Sequence, residues 1–370
     1  MSNGAATQQA QQQGDSHAAS ITQQRVWRGR GPVWLLVAAA CTAGCQDAGL
    51  EHRLEDFHGR VSHVLEVDSH PVQIRSVPAY PRRRLRRVAA PELRLSPGEA
   101  LRFRGCLGRE LGERNSILGQ VMQPSIRLAY ETRVAAALQD CAPETAADQA
   151  LLKRIRQVKA RSLQVAGYDL LFASEEVESF LGVAARPASM DELRQGLTGT
   201  QALSDLAALV RHGGEGEVLT PAELVAALRR LRESRQAAGL IRTARLFEAQ
   251  LAAIAATIHQ RLDARALCLQ PRPTPKARVA ETVFYKFYVQ QIQPDLGVVQ
   301  RALAALEHAL DQALAATTTE PTGALVAYVD AVHSVHHQLL EASRAHARAW
   351  QRLLGQCGRM PDRSDSESGT

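Results

Sequence analysis

Residues 25–45, RVWRGRGPVWLLVAAACTAGC, constrain the fold more than any other stretch. They read as an export signal and so set the redox environment in which everything after them must fold. Arg25, Arg28 and Arg30 precede an apolar run, 33–40, which is too short to span a bilayer but suits the apolar region of a signal peptide. An oxidising compartment turns cysteines into staples. Of six cysteines, Cys41 and Cys45 belong to the signal and its end, leaving Cys106, Cys141, Cys268 and Cys357. Four cysteines allow three pairings. We favour Cys106 with Cys141 and Cys268 with Cys357, because each pair ties the end of one predicted helix to another nearby in sequence or at the chain terminus. Such loops contribute roughly 3 to 4.5 kcal/mol each in the chain-entropy model. With no C-x-x-C spacing, a metal site on these cysteines is the weaker reading.

The small residues Thr42, Ala43 and Gly44 lead into Cys45, a tail that resembles the lipobox of bacterial lipoproteins. There, small residues admit the peptidase and the cysteine thiol receives a diacylglyceride. Thr42 departs from the usual aliphatic residue, and Ala38-Ala39-Ala40 before Cys41 forms a second candidate site. An ordinary cleaved secretory signal is the competing interpretation. Residues 1–24 are polar and rich in Gln, Ala and Ser, which reads as a disordered extension or a misassigned start, with synthesis beginning near Val26.

The remaining part, about 325 residues, is long enough for one large domain or two modest ones. Ala, Leu, Arg, Glu and Gln dominate, and aromatic residues make up only 4% of the chain, a mixture that favours helices over sheets. The expectation is an all-α fold, an irregular multi-helix bundle with a Pro/Arg-rich loop near the mature N-terminus and two disulfides. The expected organisation is a signal peptide at 25–44, an anchor-proximal helix and loop at 45–95, a helical domain at 96–358 and a disordered tail at 359–370. The helical domain divides into subdomains at about 96–145 and 146–358 in one version of this scheme. A formal charge of +6 is small for this length, which argues against a nucleic-acid partner.

Apolar residues Leu50, Leu54, Phe57, Val61 and Val64 or Leu65 recur at helical steps and predict a helix over 50–67. The stretch 69–95 breaks the pattern with four prolines and carries PRRRLRR at 81–87. Its arginines could attract anionic headgroups, each worth about 1 kcal/mol near a charged surface. A solvated loop with local carboxylate partners competes with that reading. Ser96-Pro97 with Glu99 starts a helix to about 112. The polar knot Glu113-Arg114-Asn115-Ser116 then interrupts an apolar period, which Pro124-Ser125 restarts. Knots of this kind satisfy helix ends, and a binding or catalytic role is the sharper alternative.

Further helices are predicted over 146–182, broken near Gly167, over 196–212, and as an antiparallel pair made of a helix opening at Thr220 and its successor over 237–267. Thr220, Pro221 and Glu223 form a capping-box start. Phe284, Tyr285, Phe287 and Tyr288 supply four of the sixteen aromatic residues and should anchor the core or an interface. The last helices are expected over 296–315 and 323–354.

The knot at 113–116, Gln123-Pro124-Ser125, the run from Lys286-Phe287-Tyr288 to Gln293-Pro294, the arginines at 82–87 and Cys357-Gly358-Arg359-Met360-Pro361 resemble an uncharacterised proteobacterial lipoprotein family, domain of unknown function 3080. The resemblance implies an exported, lipidated, mainly helical protein and carries no activity.

His333 and His337 lie one turn apart, the spacing at which two imidazoles share a zinc ion, but no H-E-x-x-H motif is present. Surface histidines on an Ala-rich helix, including His336 and His346, are the blander explanation. Nucleotide-binding, P-loop and serine-nucleophile motifs are absent, and nothing in the sequence calls for a cofactor. Two functional readings stand. One is an envelope lipoprotein at the periplasmic face of a membrane, held by an N-terminal acyl anchor, with a structural, scaffold or interaction role and an envelope protein as partner. The other is a periplasmic enzyme or a small-ligand or metal-binding protein, with a site near Glu113, Arg114 or His333 and His337. Asn115, Ser116, Lys286 and Tyr288 complete the candidate binding set.

Overall fold

The computed structural model describes residues 49–69, 72–115, 119, 121–182, 186–195, 198–234 and 237–359. The expected export signal, with Cys41 and Cys45, lies outside the described residues, as do Ser116, Met360 and the tail beyond it. Among the described residues there is no strand, and no helix is long and apolar enough to cross a membrane. The all-α expectation is correct.

Helix α1 (Leu50–Leu65) buries Leu54, Phe57, Val61 and Leu65 along one stripe, as their spacing requires. It ends at Glu66, whose φ of 55° is a left-handed cap satisfying the carbonyl of His63. The chain then crosses the surface through one helical turn, α2 (Arg83–Arg86). Here one arginine of the run behaves unlike a surface residue. Arg82, Arg83 and Arg84 are exposed, but the Arg86 side chain is fully buried. It donates to the Phe172 carbonyl and to Glu178 at 2.6 Å, and stacks 4.2 Å from the Tyr80 ring. A buried guanidinium survives there because its charge and donors find partners.

Helix α3 (Pro97–Arg102) carries the capping box read from its sequence, with Ser96 and Glu99 bonded reciprocally. The helix does not run straight to 112. It bends at Phe103, which is buried in a small second core, and resumes as α4 (Arg104–Asn115). Helices α5 (Pro124–Ala137) and α6 (Ala146–Ala173) pack side by side and complete that second core with Tyr130, Val134 and Ile155. The expected break near Gly167 is absent, and α6 ends instead at Ser174. A Cβ on Gly167 would sit 2.7 Å from Val210, so this glycine permits close helix contact and does not break the helix.

Short helices α7 (Glu175–Leu181) and α8 (Met190–Arg194) lead into α9 (Thr198–Gly214) and α10 (Pro221–Ser234). Helix α11 (Ala237–Ala264) was expected to pair with α10. Instead α10 packs on α9 and α7, while α11 packs along α14 (Gly323–Gly355). The reason is its burial pattern: unbroken stretches such as 237–241 and 243–248 are covered on every side, so α11 is a central helix wrapped by neighbours.

Helix α12 (Pro275–Val283) continues into a π-helical segment (Phe284–Ile292) and then α13 (Gln293–Ala315). Pro294 lacks an N–H and its ring crowds the carbonyl four residues back, so the turn before it widens. Tyr288 is buried in the core, Phe284 and Phe287 are half-buried against it and Tyr285 is exposed, so three of the four rings serve the core and one does not.

Both favoured disulfides are present, Cys106–Cys141 and Cys268–Cys357, with Cα atoms 5.4 and 5.3 Å apart. The first clamps α4 to the end of α5. The second joins the chain just after α11 to the chain just after α14, locking the longest helix pair.

Candidate functional site

Four of the chain's arginines converge where α2, α4, α5 and α6 meet. Arg83 and Arg87 come from the surface turn, Arg114 from the end of α4 and Arg127 from the first turn of α5. With Asp169 and Ser162 of α6 they line a cleft of about 270 Å³. Pro124 places the α5 N-terminus at the same cleft, where its dipole adds positive potential. A second cavity of about 530 Å³ adjoins the cleft, sharing Arg114, Arg127 and Ser162, and is walled by Leu93, Leu107, Leu111 and Val134. Glu92 and Glu110 also line that cavity, and each faces its own arginine, Arg94 at 2.8 Å and Arg109 at 3.5 Å.

Beneath the arginines lies a buried ion cluster. Glu131 is fully buried and accepts from Arg127 one turn earlier and from Lys159 of α6, both at 2.6 Å. The Lys159 ammonium also sits 4.9 Å over the Tyr130 ring. Burial pushes the Lys159 ammonium below its ordinary range; Glu131 opposes that shift, and Arg127 and Arg114 add to it. Burial and the neighbouring Arg127 charge likewise lower Arg114. Asp169 is raised by burial against the opposing pull of Arg87, 3.6 Å away, and Arg83. One carboxylate thus answers two cations in the floor, and one more faces Arg83 and Arg87. The surplus positive charge points to anion binding, for which planar guanidinium forks are suited.

Of the expected binding residues, only Arg114 lines this cleft. Glu113 is engaged by Arg133, whose Nη2 reaches both carboxylate oxygens at 2.7 Å. Asn115 closes α4. Lys286 is exposed on the π segment, 5.8 Å from the Phe287 ring. Tyr288 packs in the main core against His346, with centroids 4.3 Å apart, and burial pushes its hydroxyl up to about 12. The structure therefore does not bring the knot and the aromatic segment into one pocket.

The histidines fare differently from one another. His333 faces Asp311 at 3.4 Å and His336 faces Glu307 at 2.5 Å, both carboxylates on α13, while His337 is exposed. Among the described residues no three His, Cys, Asp or Glu side chains are arranged to hold a metal ion. His346 is not a surface residue: it is fully buried and accepts a hydrogen bond from the Trp350 indole at 3.0 Å.

Sequence reasoning missed Arg127, Lys159 and Asp169. Lys159 offered a faint signal, as one of only four lysines in a chain that otherwise uses arginine.

An all-α domain closed by two disulfides, with a cationic cleft at the edge of its smaller core, is the class of protein these features define. A family model, Protein of unknown function (DUF3080), matches residues 54–361, and the chain belongs to that family. No curated protein and no solved structure matches it.

Proposed function

We propose that the protein is a lipoprotein of the bacterial cell envelope, anchored through an acylated Cys45 (or Cys41) after removal of residues 25–44, with its helical body facing the periplasm as an interaction module. The two disulfides carry this reading. They close the ends of both cores, and cytosolic thiols are kept reduced, so a fold stapled in this way suits an oxidising compartment. A structural or scaffold role implies an envelope protein partner for the exposed helical faces. The test is intact mass and peptide mapping of the native protein from a bacterial membrane fraction, with and without reductant. An acylated cysteine and two bridges support the reading; an unmodified N-terminus with free thiols overturns it.

A second reading is favoured by one observation, the gathering of Arg83, Arg87, Arg114 and Arg127 around a cleft with a single lining carboxylate. It is that the module binds a small anionic ligand. Among the described residues the lining includes no histidine or cysteine, and the Ser162 hydroxyl donates to the Val158 carbonyl, so the cleft supports binding ahead of catalysis. The histidine pair draws no comparable support, because His333 faces a carboxylate on a neighbouring helix.

A further inference from the structure

We propose that the arginine cleft and its neighbouring cavity form one site for a single-chain anionic amphiphile, with the oxyanion head among Arg83, Arg87, Arg114 and Arg127 and the apolar chain along Leu93 and Leu107. This rests on the reading of the cleft as a ligand site and names its ligand class.

The argument begins with the shared residues. Arg114 and Arg127 line both spaces, so the polar cleft of about 270 Å³ and the larger cavity of about 530 Å³ meet at the two guanidinium groups. Together they fall within the size range of small-molecule sites. A site for a free inorganic anion would need only the first space. The second offers Leu93, Leu107, Leu111 and Val134, a wall that an anion cannot use and an acyl chain can. Charge points the same way. Glu131 is consumed by Arg127 and Lys159, and Asp169 faces Arg87, leaving surplus positive charge on the lip. Burial and the neighbouring arginine charges hold Arg114 and Lys159 below their ordinary proton affinities, and an arriving anion offsets the repulsion. The lip itself is accessible: Arg83 and Arg87 are exposed.

The experiment titrates the full chain, with its disulfides intact, by calorimetry against three probes below any micelle concentration: lysophosphatidic acid, zwitterionic lysophosphatidylcholine and inorganic phosphate. The expected result is saturable one-to-one binding of lysophosphatidic acid, at least about tenfold tighter than either other probe, since charge-assisted hydrogen bonds and chain burial each contribute at that scale. The exposed double variant Arg83→Gln/Arg87→Gln should weaken it by about tenfold or more. Leu93→Asn, on a surface loop, removes apolar contact without adding charge, so it should weaken lysophosphatidic acid by several-fold while phosphate binding changes far less. Equal binding of the two lysolipids, or no effect of the double variant, overturns the head assignment. Phosphate binding as tight as lysophosphatidic acid overturns the amphiphile while leaving an anion site. If no probe binds, the ligand-binding reading itself falls, whereas the compartment is decided separately by the mass of the native protein.

Discussion

Glu131 of α5 and Lys159 of α6 meet at 2.6 Å beneath the arginine cleft, and the carboxylate is fully buried. The pair joins the helices on which the cleft is built, and it sets the local charge. Glu131 answers Lys159 and Arg127 at once, so one carboxylate faces two cations and a positive charge is left over beneath the cleft.

Removing Glu131 should therefore be costly. Glu131→Ala leaves two cations in a site where their side chains are only 10% and 22% exposed. A loss of about 3 kcal/mol is expected, the lower end for a broken buried pair because Arg127 can still reach water. Urea denaturation checks it, and a loss under about 1 kcal/mol would show that the cluster contributes little to stability.

The second disulfide should contribute more than the first. Sequence separations of 35 and 89 residues correspond to about 4 and about 4.5 kcal/mol of chain entropy. Replacing Cys268 and Cys357 together by serine should lower the urea midpoint at least as far as replacing Cys106 and Cys141. Because the second bridge locks α11 to α14, hydrogen exchange should also quicken at the adjoining ends of those helices. Equal exchange in both variants would contradict this assignment.

His346 makes stability pH-dependent. Burial lowers its imidazole to about 3, against 6.5 as the unperturbed value. The folded state holds the ring neutral while the unfolded chain takes up a proton, so this contribution is complete above pH 6.5 and is lost as pH falls toward 3. The slope approaches about 1.4 kcal/mol per pH unit. His58, also lowered by burial, acts in the same direction. His346→Gln keeps an acceptor for the Trp350 indole but does not titrate. Denaturation midpoints from pH 7 to 4 should fall less steeply in this variant than in the native chain, and parallel curves would refute the assignment.

Gly199 tests the packing of α9. A Cβ there would overlap the Phe180 ring and lie 2.8 Å from the Ser234 Cβ. Gly199→Ala should cost about 1–3 kcal/mol through overpacking, even though alanine is the better helix former. An unchanged or raised melting temperature would mean that α7 and α10 can shift to make room.

Much of the local structure is legible in the sequence. The stripe of Leu54, Phe57, Val61 and Leu65 predicts α1, and the Ser96 and Thr220 boxes predict their helix starts, realised in bonds such as Glu223 N–H to Thr220 at 3.3 Å. Both disulfides were readable from cysteine placement near helix ends. These signals succeed because each depends on residues within a turn or two, or on covalent chemistry common to a compartment. The misread glycine at 167 shows the limit, since its neighbour Val210 lies on another helix.

Arg114 was visible in the sequence as part of a polar knot, and nothing local distinguished it from Glu113. Arg127 and Glu131 pair within α5, but only the packing of α5 on α6 adds Lys159 to that buried carboxylate, and only the tertiary fold sets Arg114 at the cleft. The same is true of Arg86, which stands in a row of exposed arginines yet is drawn inside by the Phe172 carbonyl and Glu178. The sequence by itself determined a helical chain and where many of its helices begin, and it favoured one of three cysteine pairings, which the structure shows. The tertiary structure alone decided which charges gather, because helical periodicity is a property of neighbours along the chain, whereas electrostatic and apolar contacts depend on segments brought together by packing.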